Sequence, residues 1–186
     1  QSTIIHRAEP GFVLQTGKIS SNESANIIDP ILKGSPIALE YQLPNILGSV
    51  AMARTDLPDS ATSEWFINLA DNTDILAESN NGGYAVFGRV IGDGLTVVRK
   101  IENLNRAKYI NEIPFDVPVI NYTGSGLNVA NFVDLKVTEI VAPNYFDNSN
   151  STLYVKVDAG TAGFAKLSFS ISQSAPNIIV KLETVE

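Results

Sequence analysis

The side chains that most enzymatic chemistry relies on are scarce in this chain. There is no cysteine, which excludes thiolate nucleophiles, thiolate metal sites and disulfides together while leaving the redox compartment open. His6 is the only histidine, too few for a histidine triad or a multi-histidine metal site, and it reads as a structural residue with its hydrogen bonds satisfied. Asp56, Asp59 and Glu64 fall close enough in sequence to suggest a hard-cation site, but loop acids on an acidic protein read first as solvated groups, so no metal is expected. Arg7 before the Pro10-Gly11 turn reads in isolation as a surface cation, and Phe12 and Phe66 as core aromatics.

The charge balance narrows the classes further. Thirteen Lys and Arg stand against twenty Asp and Glu, a net charge near −7 and a pI of about 4.7. A surface of that sign does not neutralise phosphates, so nucleic acid and anionic membrane are not expected partners. No apolar run approaches the roughly 20 residues of a spanning helix, so membrane insertion is not expected either.

Short apolar runs separated by turn residues dominate the 186 residues, which predicts a mainly β fold. Strands are expected at Ser2–His6, Phe12–Thr16, Ser49–Arg54, Trp65–Leu69, Ala85–Val90, Phe132–Val141, Thr152–Val157, Phe164–Ile171 and Asn177–Thr184. One helix is expected over Leu95–Leu104, with Val97, Val98, Ile101 and Leu104 on a single face after the turn residues Gly92-Asp93-Gly94. Residues 142–151 are rich in turn formers and read as a linker. They divide a first domain, 1–141, from a three-strand β extension, 152–186, too short to hold a core by itself. Lys156, Lys166 and Lys181 stand singly in that extension and read as outer-face or edge charges.

Three segments carry a pattern that no single residue carries. They are His6-Arg7-Ala8-Glu9-Pro10-Gly11-Phe12-Val13-Leu14-Gln15, then Gly48-Ser49-Val50-Ala51-Met52-Ala53-Arg54 running on through Ser63-Glu64-Trp65-Phe66-Ile67-Asn68-Leu69, and then Gly83-Tyr84-Ala85-Val86-Phe87-Gly88-Arg89. In this order and spacing they resemble the cyclophilin family of peptidyl-prolyl cis/trans isomerases, its bacterial branch in particular, over residues 2 to about 141. The resemblance implies an antiparallel β-barrel with one or two short capping helices. In the family two strands and a helix precede the His-Arg segment. Here the chain opens on Gln1, read as a product of processing or trimming, and the missing strands are expected to leave backbone edges unpaired.

The resemblance also assigns roles. It makes Arg7 the cation that assists rotation about an X-Pro bond, with Gln15 hydrogen-bonding the substrate backbone beside it. Phe12, Val13, Phe66 and Leu76 become the wall and floor of a proline pocket. Met52, Ala53 and Arg54 flank the extended substrate, and Tyr84 takes a rim position. Glu64 stands where the family usually has Gln. It places a negative charge near Arg7, which is expected either to draw Arg7 from its working geometry or to alter the preferred flanking residue. No cofactor is implied.

Two functions follow as expectations. One is an isomerase acting on proline-containing segments of client proteins, extracytoplasmic (periplasmic, secreted or at the cell surface) and bacterial. The other is a cyclophilin-fold assembly subunit that forms homo-oligomers, filaments included, through open strand edges and the C-terminal extension, with weak or no turnover.

Overall fold

The computed structural model describes residues 2–22, 26–108, 116–138, 144–158, 164–174 and 177–185. In chain order the elements are β1 (Ser2–Ile4), β2 (Arg7–Glu9), β3 (Val13–Thr16), β4 (Ile19–Asn22), β5 (Ile27–Pro30), β6 (Ser49–Met52), β7 (Trp65–Asn68), β8 (Val86–Arg89), α1 (Gly94–Glu102), β9 (Arg106–Lys108), β10 (Asp116–Pro118), β11 (Asp134–Lys136), β12 (Tyr145–Asp147), β13 (Thr152–Asp158), β14 (Phe164–Ser174) and β15 (Asn177–Val185). The fold is mainly β, as expected, and every strand pairing among the described residues is antiparallel. Two compact units divide it: Gln1–Val90 with Gly94–Val137, and Ile91–Asp93 with Thr138–Glu186.

The first unit is organised by a five-stranded sheet in the order β2-β3-β7-β6-β8. Successive side chains on a strand point to opposite faces, and here the two faces bury two different clusters. Ala8 and Leu14 pack with Ile5, Leu69 and the α1 residue Val98, with Ile67, Val90 and Ile101 against them. On the other face Val13, Ala51, Phe66 and Leu76 form a second cluster, bordered by Phe12, Ala53, Tyr84 and Val86. Three short pairs, β1-β11, β4-β5 and β9-β10, surround a third core of Ile4, Ile19, Ala107, Val117, Val119 and Phe132.

Several elements differ from the sequence expectation. The run Ser2–His6 breaks after Ile4, and Arg7–Glu9 forms its own strand. The Pro10-Gly11 turn, with Gly11 at φ +71°, hid it by making the segment read as loop. Val97 is mostly exposed, while α1 buries Val98 as expected. The expected strand Phe132–Val141 appears as β11 plus an isolated bridge from Phe132 to Val119, and its residues 139–141 lie outside the described residues.

In the second unit the three expected strands pair as β13-β14-β15, and a fourth, β12, joins them from within residues 142–151. The register aligns Leu153 with Phe169 and Leu182, and Val155 with Leu167 and Val185, so the alternating residues of three strands share one sheet face. Lys156 lies directly opposite Lys166, whose ammonium sits 4.7 Å from the Tyr154 ring centroid.

Candidate active site

One row of the five-stranded sheet sets the site. Arg7 on β2 is paired with Gln15 on β3, Gln15 with Phe66 on β7, and Phe66 with Ala51 on β6. Cross-strand partners point to the same face, so this register alone carries a cation, an amide and an aromatic ring to one surface. Val13, two residues before Gln15, shares that face and is buried beneath it.

The cleft over this row has a volume of about 240 Å³ and is lined by Arg7, Phe12, Val13, Gln15, Ala53, Arg54, Phe66, Leu76 and Tyr84. Nine of the eleven residues singled out from sequence therefore meet in one cavity. Val13, Phe66 and Leu76 make a buried apolar floor, and Tyr84 meets Phe66 edge to face at 5.8 Å between ring centroids. The Arg7 guanidinium sits 5.9 Å from the Phe12 ring centroid, with Nε 3.4 Å from Glu9 Oε1 and Nη1 donating to Gln15 Oε1 at 3.2 Å.

Met52 and Glu64 are not among the residues lining this cleft. Met52 follows Ala51 on β6, so its side chain takes the opposite face, while its backbone N–H donates to the Ala85 carbonyl at 3.0 Å. Glu64 lines an adjoining polar cleft with Gln15, Lys33, Ala53, Arg54, Thr55, Ser60 and Thr62. Its charge is taken up locally. Oε2 accepts from Gln15 Nε2 at 2.9 Å and lies 3.4 Å from His6 Nε2, and Oε1 lies 3.6 Å from Lys33 Nζ. The hydrogen bond from His6 holds the carboxyl below the ordinary carboxylate range; burial opposes it, and the charge interaction with His6, the Gln15 hydrogen bond and Lys33 reinforce it. His6 itself is buried with Nδ1 unpartnered, so the expectation that all its hydrogen bonds are satisfied is half met. Asp59, grouped with Glu64 on sequence spacing, instead accepts from the Leu39 N–H at 2.8 Å.

Three supports were not legible from sequence. Arg54 uses its side chain structurally: Nε donates to the Gly83 carbonyl at 2.9 Å, Nη1 to Thr55 at 2.8 Å, and Nη2 to Asn80 and Asn81 at 3.0 and 3.2 Å. Asn45, Asn68 and Asn72 are fully buried and bonded to one another. Their outer ends hold the carbonyls of Phe12 and Tyr84, each at 2.9 Å, which ties two sides of the cleft together. On α1, Glu102 accepts from the Gly11 N–H at 2.8 Å and from Arg99 at 2.6 Å, fixing the turn that presents Phe12. A polar residue amid the apolar run Trp65–Leu69 was the one available signal for the asparagine network.

Together these features define a β protein whose antiparallel sheet carries a cleft with an apolar floor beside a guanidinium held by an amide. The sequence model of the family described as "Cyclophilin type peptidyl-prolyl cis-trans isomerase/CLD" matches residues 1–124. The chain belongs to that family. It is similar to a peptidyl-prolyl cis-trans isomerase of Acinetobacter baylyi, 44% identical over 109 residues that cover 58% of this chain and 55% of the relative. It is likewise similar to peptidyl-prolyl cis-trans isomerase B of Escherichia coli, 38% identical over 106 residues that cover 55% of this chain and 62% of the relative. A solved Cryptosporidium parvum cyclophilin type peptidyl-prolyl cis-trans isomerase aligns with a TM-score of 0.43 and 22% identity, over 74% of this chain and 77% of the other. The chain spans about half the length of the curated relatives it matches.

Proposed function

We propose that this chain provides the groove of a peptidyl-prolyl cis-trans isomerase acting on X-Pro bonds in unfolded or extended client segments outside the bacterial cytoplasm. One observation carries the reading: the Arg7 fork stands at a cleft whose apolar side is formed by Phe12, Val13, Phe66 and Leu76. Amide resonance slows X-Pro rotation with a barrier of about 20 kcal/mol. As the bond twists, the resonance is lost and an electron pair localises on the prolyl nitrogen. A guanidinium donor at that position stabilises the twisted state more than either planar ground state, which is the condition for acceleration. The apolar floor of the cleft packs against the proline ring and displaces water from it, which strengthens the action of the partly buried charge. Gln15 and the backbone at Ala53 and Arg54 hold the flanking peptide. No bond is made or broken, and the permanently charged Arg7 transfers no proton.

The test is a protease-coupled or NMR-exchange assay on a short proline peptide. Acceleration by the wild type and its loss in Arg7→Ala are expected; equal rates for the two would end the reading. The extracytoplasmic setting is proposed from the asparagine-rich composition, and cell fractionation would check it.

A second reading, an assembly module that oligomerises by strand addition, is favoured by one observation. β8 ends its sheet, and its Phe87, 60% exposed, borders an apolar groove with Leu43, Pro44 and Ile46. Light scattering on the full chain separates the two readings, since a strictly monomeric species excludes the second.

A further inference from the structure

Gln15 is held between two groups of opposite hydrogen-bonding character. The Arg7 guanidinium has only donors, so the Gln15 amide must turn its oxygen toward it; an ionised Glu64 carboxylate has only acceptors, so the amide must turn its nitrogen that way. A single orientation meets both demands, and it is the one present, with Arg7 Nη1 at 3.2 Å from Oε1 and Nε2 at 2.9 Å from Glu64 Oε2. The reverse orientation would set N–H₂ against the guanidinium and oxygen against the carboxylate, two repulsive contacts at once.

Glu64 is itself held from several directions. His6, in the link between β1 and β2, stands at its Oε2, and Lys33, in the segment after β5, stands at its Oε1. Arg54, just beyond β6, lines the same polar cleft. The backbone is brought close by Gly17, at φ +87°, where an added Cβ would collide with the Ser63 carbonyl oxygen and come within 3.0 Å of the Glu64 Cα. A carboxylate fixed in this way can serve as a reference against which Gln15 is oriented.

We infer that Glu64 is a positioning residue, whose carboxylate selects the Gln15 amide orientation that offers an oxygen to Arg7 and so keeps the guanidinium at the cleft. This rests on the isomerase reading for its effect on rate, though the orientation itself can be measured without turnover. It also reverses the expectation that Glu64 would draw Arg7 away, because the negative charge reaches Arg7 through an amide that presents an acceptor.

The experiment uses the full chain with Glu64→Ala and Glu64→Gln, checked for folding by circular dichroism. It combines NMR of the Gln15 side-chain N–H₂ and Arg7 Nε–H signals with steady-state kinetics across pH. The wild type is expected to show one Gln15 conformer, lost as pH falls through the depressed Glu64 titration, with kcat falling in the same range. Glu64→Ala is expected to lower kcat about tenfold with KM within about twofold, the sign of a misplaced group and not of lost substrate binding. Glu64→Gln can satisfy either amide orientation; it is expected to give two Gln15 environments and to abolish the acid limb. Glu9→Gln removes the carboxylate that meets Arg7 Nε and is expected to keep that limb. Wild-type kcat in Glu64→Ala with an unshifted Gln15 signal, or an unchanged acid limb in Glu64→Gln, overturns the inference. An inactive wild type whose Gln15 signal still titrates with Glu64 would overturn the isomerase reading and leave the positioning role standing.

Discussion

The Arg54 guanidinium stacks 4.3 Å from the centroid of the Tyr84 ring. The same guanidinium donates to the carbonyls of Asn80, Asn81 and Gly83, so one side chain beside β6 organises the loop that delivers a wall of the cleft. Charge-assisted hydrogen bonds of this kind are stronger than neutral ones, and the aromatic stack adds a further cation–π contribution.

Arg54→Ala should therefore loosen residues 78–84 without unfolding the sheet. Hydrogen exchange is expected to accelerate at the amides of Gly82 and Gly83, which donate to Glu78 and Asn80, while exchange in β3 and β7 stays slow. A peptide substrate should bind more weakly, raising KM more than it lowers kcat.

Arg7→Ala should cost about 10²–10³ in kcat/KM, the usual loss for one transition-state donor in a water-poor site. Arg7→Lys should recover little of it, because an ammonium lacks the planar fork that can meet Gln15 and a substrate atom together. The protease-coupled assay reads both variants.

Asn68→Ala should destabilise the first unit by at least about 2 kcal/mol. Asn68 Nδ2 serves Asn45 Oδ1 and Ser49 Oγ, and its Oδ1 accepts from Asn72, so truncation strands several buried polar atoms in a core that water does not reach. Chemical denaturation monitored through Trp65 measures the loss, and an unchanged midpoint would refute the network's importance.

Acid should destabilise the protein through two glutamates. At Glu102 burial raises the carboxyl's titration, and the Arg99 hydrogen bond, the Gly11 amide and the charges of Arg99 and Arg106 together outweigh it; at Glu64 the His6 hydrogen bond leads. Both groups titrate lower folded than unfolded. Their stabilisation is present above the unfolded value of about 4.3 and is lost as pH falls through the lower folded values. Unfolding midpoints measured between neutrality and acid should decline chiefly below that point, with a shallower decline in Glu102→Gln.

Much of the site was legible in the sequence because its members belong to local motifs. Arg7, Phe12, Val13 and Gln15 lie within nine residues of one another, in the segment that carries the family resemblance, although the strand Arg7–Glu9 that completes their hairpin was hidden by the Pro10-Gly11 turn. Phe66 falls in a run whose composition alone marks a strand. The mainly β class followed from residue types and short-range periodicity, which do not depend on distant chain, whereas the apolar floor was implied by the family resemblance.

Tertiary structure decided whatever depends on which strand lies beside which. The row Arg7, Gln15, Phe66, Ala51 joins segments up to fifty-nine residues apart, and a one-residue slip in any pairing would turn Gln15 or Phe66 to the other face. Glu64 could be seen as a charge near Arg7. That it meets His6, Gln15 and Lys33 depends on the close approach that Gly17 permits. No core role was read for the asparagines, and Asn45, Asn68 and Asn72 became a core network only when long-range folding buried them together and left them one another as partners. By itself the sequence determined the chemical kinds present and the strands of Val13, Gln15 and Phe66, though not that of Arg7; long-range register and burial decided which atoms face each other, because those depend on contacts that local sequence does not encode.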